Sequence, residues 1–390
     1  MNILIYFGDQ LCPTAGGTER VACMLADYFI SKGHNIYYLA CRHVDLPNAV
    51  ESEFLPDERE APTPANIRAV NEIIENHKID IILNEGGFGE VSRLFSHEHI
   101  PSNIKIISHL HFDPLRGRKG YYQSLYLPIS FNVQGFRNLI SWMKSPYWKW
   151  KFNKHIKKRF EYIVDNSDSV VVLCEGHKNI MERMTDSNQK NKIHSIINPL
   201  TFSSSNVEIR EKKNEIIFVG RLEYTQKRVD RILKAWNYIS KKYPDWCLKI
   251  IGDGEDRPRL ESMVDKMNLK RIEFTGRTNP QPYYEKSKIL LLTSNHEGTP
   301  MVIQEAMSYG VVPVVMSSFS AASDMIDSDY NGLLTKPFKI KDLINTVDRV
   351  ISDGEYFESI SSNARMTIAN IDNNQVFKQW ERLINQDSKR

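Results

Sequence analysis

The segment EIIFVGRLEYTQKRVDRILKAWNYISK, residues 215–241, decides the fold of this chain. Its apolar run Glu215–Val219 predicts a buried strand, and Val229–Lys241 has the apolar spacing of an amphipathic helix. Gly220 and a polar stretch separate the two, which indicates a turn at the carboxyl end of the strand. A strand that leads through such a turn into a helix is the unit from which parallel α/β sheets are built.

The same alternation of apolar runs and helical patterns extends along the whole chain. After the opening segment, the strand-like runs are Leu248–Ile251, Ile272–Thr275, Ile289–Thr293 and Val312–Val315. Before it, they are Ile3–Phe7, Ile36–Ala40, Ile79–Leu83, Ile104–Ser108, Ser169–Cys174 and Lys192–Ile197. Alternation of this kind predicts an α/β fold with doubly wound parallel sheets and right-handed crossovers.

The length of the chain and one interruption predict two domains. A chain of 390 residues exceeds the size of about 250–300 residues at which a single core stops growing. The polar, serine-rich stretch 198–214 breaks the alternation and predicts a linker. We expect one Rossmann-like domain in residues 1–200, a second in residues 201–370, and a C-terminal helix, 371–390, that crosses back to the first. Each domain should bind ligands beyond the carboxyl ends of its strands.

The composition excludes several classes of protein. The net charge is only +3, so the chain as a whole is not typical of a nucleic-acid-binding protein. The five cysteines form no C-x-x-C pair, which favours neither a zinc site nor a disulfide framework and fits a reducing cytoplasm. No apolar run reaches the ~18–20 residues of a membrane span, and the N-terminus lacks the pattern of a signal peptide. We therefore expect a cytoplasmic protein whose contact with a membrane is peripheral.

Two glycines, Gly16 and Gly17, lie between the first predicted strand and the first helical pattern, and Thr18-Glu19-Arg20 follows them. Glycines at this place let a ligand approach the backbone, and the free N–H groups of a helix start favour an anion. The same residues are equally typical of a flexible turn in which Thr18 caps the helix.

Two cations, Arg221 and Lys227, follow the equivalent junction in the opening segment. They could converge on a diphosphate, because arginine binds phosphate as a fork and lysine as a point charge. Taken alone, two such residues would more often be solvated surface cations.

The strongest pattern is NHEGTPMVIQEA, residues 295–306. An apolar run ends before it, a turn follows, and Pro300 stands near the first turn of a helix, where proline is tolerated. The amide N–H groups from Gly298 through Thr299 to Met301 would then form an anion pocket at the helix start.

Two carboxylates flank this pocket, Glu297 at its mouth and Glu305 eight residues on. Carboxylates beside a phosphate pocket suit hydroxyl groups rather than phosphate, one set on a sugar and one on a ribose. The alternative is that Glu297 caps the helix and Glu305 is solvated.

With these motifs the chain resembles glycosyltransferase family 4, whose members have the GT-B fold of two Rossmann-like domains facing a central cleft. The resemblance covers essentially the whole chain and is closest from Glu215 to Leu334. Five patterns match in order: G-G-x-E-R at 16–20, G-R-L…K at 220–227, I-I-G-D-G at 250–254, F-T-G at 274–276, and the Glu-x7-Glu spacing of 297 and 305.

The resemblance implies roles for these residues. Arg221 and Lys227 would neutralise the diphosphate of a nucleotide-sugar donor. Glu305 would bind the ribose, Glu297 the hydroxyls of the transferred sugar, and the loop around Gly276–Arg277 the base. The two glycines of the first motif would touch the phosphate from the other domain. The implied donor-binding set is Gly16, Gly17, Arg221, Lys227, Gly276, Arg277, Glu297, Gly298, Thr299, Pro300, Met301 and Glu305.

The resemblance also implies a mechanism, namely transfer with retention, without a cofactor and without a bound metal. Charge that develops on the departing diphosphate must then be absorbed by the two cations and a helix N-terminus. The sequence offers no clear carboxylate nucleophile of the kind that retaining hydrolases use. The family is usually argued to follow a front-face route in which the leaving phosphate helps to deprotonate the acceptor.

Two histidines, His109 and His111, follow a predicted strand end in the first domain. Alternation along a strand would aim both rings to the same side. The family often has a histidine here near the transferred sugar, so we favour His111 as a catalytic residue, with His109 as the second choice. A purely structural role for either histidine remains open.

A basic, aromatic stretch lies between Pro114 and Phe160. It contains eleven Lys and Arg residues and no Asp or Glu. Cations interleaved with aromatic rings, such as Lys149, Trp150 and Lys151, suit anionic headgroups. We predict peripheral association with the cytoplasmic face of the inner membrane and no nucleic-acid partner. The alternative is that the aromatic residues pack on the core.

The function predicted from the sequence is transfer of a hexose or N-acetylhexosamine from a nucleotide-diphosphate sugar, UDP-linked by analogy with relatives. The acceptor would be a glycan or a lipid-linked molecule in surface polysaccharide, lipopolysaccharide or glycoconjugate biosynthesis. Two alternatives stay open: a sugar-nucleotide epimerase of the same fold, and a non-catalytic protein that binds nucleotide sugars. A dehydrogenase is disfavoured because the first turn lacks G-x-G-x-x-G.

Overall fold

The computed structural model describes residues 1–87, 89–115, 133–186, 188–201 and 212–386. These residues form two compact units. The first contains 1–115, 146–199 and the C-terminal segment from residue 372, and the second contains 200–371 with residues 133–145.

The first sheet has seven parallel strands in the order β3-β2-β1-β4-β5-β6-β7. The strands are β1 (Asn2–Asp9), β2 (Asn35–Arg42), β3 (Glu53–Phe54), β4 (Ile81–Asn84), β5 (Lys105–Leu110), β6 (Ser169–Val172) and β7 (Ile193–Ser195). The helices between them are α1 (Gly17–Ser31), α2 (Pro64–His77), α3 (Val91–Leu94), α4 (Val133–Asn166) and α5 (Glu175–Met184).

The second sheet has six parallel strands in the order β10-β9-β8-β11-β12-β13. They are β8 (Lys213–Val219), β9 (Cys247–Ile251), β10 (Ile272–Gly276), β11 (Ser287–Leu292), β12 (Val312–Met316) and β13 (Leu333–Thr335). The helices are α6 (Val229–Lys242), α7 (Arg257–Lys266), α8 (Gln281–Lys286), α9 (Met301–Ser308), α10 (Ala322–Met325), α11 (Ile340–Ser352) and α12 (Gly354–Ala369).

The predicted fold class is confirmed, since both sheets are parallel and doubly wound. Every predicted apolar run overlaps an observed strand. The short strands β3 and β13 were not predicted, because two or three residues carry too little pattern to be recognised. The predicted linker is shorter at its end, because Lys213 and Asn214 begin β8; its residues 202–211 lie outside the described residues.

The last helix, α13 (Asn373–Asn385), belongs to the first unit. Its Glu381 accepts a hydrogen bond from the Tyr28 hydroxyl at 2.9 Å, and Phe377 stacks on the Tyr28 ring at 4.7 Å. Lys105 donates to the carbonyl oxygen of Leu383 at 2.6 Å, near the end of the helix, where carbonyl groups lack helical partners.

Both sheets reverse their winding direction at one point, and these points position the candidate site residues. In the first sheet the reversal lies between β1 and β4, and in the second between β8 and β11. Ligands of doubly wound sheets bind outside the carboxyl ends of the strands at such a point. The loops after β4, β8 and β11 are therefore the places where function is expected.

Candidate functional site

The loop after β8 lies close against the loop after β9. The Gly220 amide donates to the Ile251 carbonyl at 3.0 Å, and a Cβ added to Gly252 would lie 2.0 Å from the Gly220 carbonyl oxygen. Gly252 also has φ of +135°, a backbone conformation that favours glycine. Glycine is thus required at 252 so that the loop carrying Arg221 can rest on the edge of the sheet.

The loop after β8 and the loop after β11 meet in an ion pair. Lys227 Nζ lies 2.7 Å from Glu297 Oε1, and the Gln226 side-chain amide donates to Glu297 Oε2 at 3.1 Å. Glu297 is 5% exposed, so its charge is held by these two partners rather than by solvent. The alternative interpretation of Glu297 as a helix cap is wrong, because residue 300 is the N-cap of α9.

The same two loops are tied together by a buried arginine that the sequence analysis missed. Arg231, at the start of α6, donates to the Thr293 carbonyl at 2.7 Å and to Asn295 Oδ1 at 2.8 Å. Asn295 in turn donates through its side-chain Nδ2 to the Thr225 carbonyl at 2.7 Å, and its backbone N–H donates to the Gln226 carbonyl at 2.7 Å. Burial lowers the pKa of Arg231 to about 10, with nearby Arg228 adding to the effect.

Glu305 is also buried and held by hydrogen bonds. The Tyr284 hydroxyl donates to its Oε2 at 2.9 Å, and the Thr201 hydroxyl donates to its Oε1 at 2.9 Å. Glu305 is 7% exposed, so the alternative of a solvated carboxylate is wrong. Because it lies on α9, eight residues beyond Glu297, the two carboxylates have fixed positions on either side of the helix start.

The helix start itself follows the predicted pattern. Helix α9 begins at Met301, and Pro300 precedes it with φ of −67°. Gly298 and Pro300 are buried, and Thr299 is half-buried. The Ile303 amide donates to the Pro300 carbonyl at 3.0 Å, while the amides of Met301 and Val302 before it have no acceptor within the helix, so this end of α9 favours a negative charge.

The remaining predicted donor residues lie at the ends of their elements. Arg221 and Arg277 are exposed, and Gly276, which precedes Arg277, has φ of +72°. Gly16 is the N-cap of α1, which begins at Gly17, so Thr18 lies inside the helix and is not its cap. Among the residues that the structure describes, no N-cap side chain bonds to this helix, so its first amides are open to other partners.

In the first unit, His109 and His111 turn toward the same carboxylate. Glu85, in the loop after β4, accepts through its Oε2 from His109 Nδ1 at 2.9 Å and also from His111 Nε2. All three side chains are at most 1% exposed. The prediction that the two rings point to one side is confirmed, but Glu85 was missed. Its role depends on the pairing of β4 with β5, which brings the carboxyl ends of the two strands to one edge and which the sequence pattern does not show.

Electrostatics of this cluster favour an ionised Glu85. Burial alone would raise its pKa, but the two imidazoles outweigh burial and lower the pKa from 4.5 to about 2. The pKa of His109 is lowered by burial and by the neighbouring His111.

Among the described residues, Glu85, His109 and His111 are the one group whose potential metal ligands converge, within 4.8 Å. Histidines that bind metal almost always donate their other ring N–H to a partner. Neither His109 Nε2 nor His111 Nδ1 has a hydrogen-bond partner in the described part of the chain. The 2.9 Å between His109 and Glu85 is a hydrogen-bond distance. We therefore interpret the group as a hydrogen-bonded cluster rather than a metal centre.

Helix α4 carries the described part of the basic, aromatic stretch. Trp150 and Tyr147 are 58% and 57% exposed, so for these residues the alternative of core packing is wrong. Lys154 lies over the Trp150 ring at 5.2 Å, and Lys151 over the Trp148 ring at 5.3 Å. Lys149 on the same helix is also exposed. Within the described ranges, no helix has the length and hydrophobicity needed to cross a membrane.

Two family models match this chain. Residues 201–367 match "Glycosyl transferases group 1", and residues 15–200 match "Glycosyltransferase Family 4". Together the two matches include almost every candidate residue described above and leave out only the two ends of the chain.

Individual proteins are similar over different lengths. An uncharacterized glycosyltransferase of Haemophilus influenzae is 26% identical over 379 residues, which cover 95% of this chain and 97% of the relative. The lipopolysaccharide 1,6-galactosyltransferase of Escherichia coli is 30% identical over 223 residues, 55% of this chain and 60% of that protein. The structure of Anabaena HepE in complex with UDP and glucose has a TM-score of 0.71 at 15% identity, covering 98% of this chain and 99% of HepE. This likeness is one of fold.

Proposed function

We propose a specific reaction for this chain, which belongs to glycosyltransferase family 4 and is a glycosyltransferase. It transfers a hexose or N-acetylhexosamine, with retention, from a nucleotide-diphosphate sugar. The acceptor is a glycan or a lipid-linked molecule in lipopolysaccharide or other surface polysaccharide biosynthesis. The chain covers about 60% of the length of the E. coli galactosyltransferase named above, whose activity supports this class of acceptor.

The observation that carries the proposal is the ion pair between Lys227 and Glu297 at the reversal point of the second sheet. A diphosphate at this edge competes with Glu297 for the Lys227 ammonium. As Lys227 turns to the phosphate, the Glu297 carboxylate becomes free to accept hydrogen bonds from sugar hydroxyls. One ion pair is thereby exchanged for two contacts to the donor.

Bond cleavage then builds negative charge on the departing phosphate. Lys227 and the exposed Arg221 lie on the loop after β8, and the first amides of α9 lie at the start of that helix; all can stabilise that charge. We propose UDP as the nucleotide, which the UDP complex of the structural neighbour HepE supports. We also propose that no metal ion is required, and that EDTA leaves the rate unchanged; a loss restored only by Mg²⁺ or Mn²⁺ would contradict this.

The test is a screen of nucleotide sugars for release of nucleoside diphosphate, with wild type and Glu297→Ala. We expect release from one or a few UDP-sugars and, for Glu297→Ala, a rate at least about 100-fold lower with an intact fold. Glu273→Ala, which removes an exposed carboxylate on β10, is the matched control and should retain full activity. Wild-type turnover by Glu297→Ala would reject the site assignment. A changed sugar without nucleotide release would instead indicate an epimerase, and binding without either reaction a non-catalytic protein.

We further propose that the exposed face of α4 binds the surface of an anionic membrane. Exposed tryptophans and lysines on one helix are typical of interfacial binding, and each cation near the surface contributes about 1 kcal/mol. Replacing Lys149, Lys151 and Lys154 by Gln should weaken co-sedimentation with anionic liposomes. The control replaces the same number of exposed lysines elsewhere, Lys241, Lys266 and Lys286. Equal sedimentation of both triple variants would contradict a specific membrane face.

A further inference from the structure

Glu85 receives both imidazoles of the cluster on a single oxygen atom. His109 lies in β5 and His111 one residue beyond its end, while Glu85 follows β4, the neighbouring strand. The loop after Glu85 presses against β5, since a Cβ added to Gly87 would lie 2.4 Å from the His109 carbonyl oxygen. Backbone and side chains together therefore fix Glu85 against the two rings.

The charge of Glu85 determines which ring nitrogens carry a proton. An ionised carboxylate only accepts hydrogen bonds, so each ring must present an N–H to it. His109 then carries a proton on Nδ1, and His111 carries one on Nε2. In a neutral imidazole the other ring nitrogen carries no proton. The hydrogen bond to the ionised Glu85 therefore determines the tautomer of each ring.

The two rings differ in what surrounds them. His109 packs edge-on against Trp380 of α13 at 4.9 Å between ring centroids, which makes it part of the core of the first unit. His111 lies beyond the last residue of β5, at the carboxyl edge where ligands of this fold bind. Of the two, His111 is therefore the ring whose orientation matters for chemistry.

We propose that Glu85 is a positioning residue for glycosyl transfer, which acts through His111 by holding its Nε2–H and hence the angle of its ring. The inference rests on the proposed function. It assigns Glu85 no contact with the substrate. A carboxylate that holds an active-site imidazole in one tautomer and one orientation is a recurring device of enzyme sites.

A double-mutant cycle separates this role from a merely structural one. Glu85→Leu removes the acceptor and should lower kcat about 100-fold, a loss typical of a misplaced acid–base or polarising group. Glu85→Gln retains an oxygen acceptor without charge, and its loss of about tenfold matches one weakened charged hydrogen bond. UDP affinity should stay unchanged, because Glu85 and the donor loops lie in different units. Neither substitution should lower kcat further in a His111→Ala background, since the residue through which Glu85 acts is gone.

Equal losses from Glu85→Leu with and without His111 would overturn the proposal, as would a kcat of the single variant within threefold of wild type. Glu90→Gln, an exposed carboxylate five residues away, is the matched control and should be silent. Nitrogen-15 NMR of the histidines gives a readout that does not need turnover. The Nε2–H signal of His111 should be present in wild type and altered in Glu85→Gln; an Nδ1–H signal in wild type would also overturn the proposal.

Failure of the proposed function gives a different result. If wild type releases no nucleoside diphosphate from any nucleotide sugar, the proposed reaction is wrong and the role of Glu85 in it falls as well. If wild type is active and the cycle is additive, only the role of Glu85 is wrong.

Discussion

Three of the candidate residues discussed above are buried carboxylates, and each has hydrogen-bond partners that set its position. Glu305 is held by Tyr284 and Thr201, Glu297 by Lys227 and Gln226, and Glu85 by two histidines. A buried charge without such partners would cost several kcal/mol. At the scale of the residue, then, the position of each carboxylate is set by its neighbours.

Tyr284→Phe tests this dependence at Glu305. The change removes one hydroxyl that donates to Oε2 and leaves the ring in place. We expect UDP to bind at least about tenfold more weakly, because a hydrogen bond to a charged group contributes about 1.5 kcal/mol or more. Tyr283→Phe, on the same helix, is the control and should bind UDP like wild type. Calorimetric titration with UDP measures both, and equal affinities for the two variants would argue against a role of Glu305 in ribose binding.

Lys212 gives a prediction about pH. Its ammonium group is buried and donates to the carbonyls of Tyr284 at 2.9 Å and Ser287 at 2.8 Å. Burial lowers its pKa from 10.5 to about 7, with a smaller contribution from Arg365. Between pH 7 and pH 10.5, Lys212 of the unfolded chain keeps a proton that Lys212 of the folded chain has lost. The free energy of unfolding must therefore rise with pH in this window and level off below pH 7.

We expect this contribution to amount to about 2–3 kcal/mol between pH 7 and pH 9, at about 1.4 kcal/mol per pKa unit. Lys212→Met should remove it, so that the difference in stability from wild type changes with pH. Lys213→Met alters an exposed neighbour and should leave the pH dependence as in wild type. Urea denaturation at pH 7 and pH 9 measures the free energy of unfolding at each pH. The same change with pH for wild type and Lys212→Met would contradict a buried Lys212 with a lowered pKa.

At the scale of the element, the candidate donor site in the second unit consists of two loops that are joined by side chains. The loop after β8 supplies Lys227, and the loop after β11 supplies Glu297. Between them, Arg231 and Asn295 bind backbone carbonyls of both loops. The relative position of the cation and the carboxylate is thus set by a helix start that touches neither.

Arg231→Met tests whether these hydrogen bonds hold the two loops together. The substitution leaves the Thr293 carbonyl and Asn295 Oδ1 without their buried donor, which costs about 1–3 kcal/mol each. We expect a lower melting temperature and UDP affinity reduced by about tenfold or more, because the loops can separate. Lys241→Met, an exposed change on the same helix, should affect neither. A destabilised Arg231→Met variant that binds UDP as tightly as wild type would show that the Arg231 hydrogen bonds support the fold and not the site.

The elements also show what a sequence can and cannot predict. Strands such as Glu215–Val219 were predictable because their apolar runs are local, and α9 because Pro300 marks its start. Arg231 and Glu85 were not, because their roles arise from strand order and from partners 64 and 24 residues away. Lys227 and Glu297 were both identified, yet their pairing appears only when β8 and β11 lie side by side.

At the scale of the whole molecule, the chain returns at its end to the unit in which it began. Helix α13 contributes Trp380, 1% exposed, which packs against His109 at a distance of 271 residues along the chain. The tyrosine Tyr28 of α1 and the lysine Lys105 of β5 hold the same helix. The last segment is therefore part of the structure that supports the Glu85–His109–His111 cluster.

Trp380→Ala tests whether the packing of α13 stabilises the first unit. Loss of a large buried side chain costs about 3–5 kcal/mol, and here the cavity would open beside His109. We expect faster amide hydrogen exchange in β5, α1 and α13 of the first unit, and unchanged exchange in β8 and β11 of the second. Because His109 shares Glu85 with His111, kcat should fall. UDP affinity should stay constant, because Lys227, Glu297 and Glu305 belong to the second unit. Trp150→Ala removes an exposed tryptophan and should change exchange only locally, by less than about 0.5 kcal/mol. Faster exchange in both sheets would mean that α13 stabilises the whole chain rather than the first unit alone.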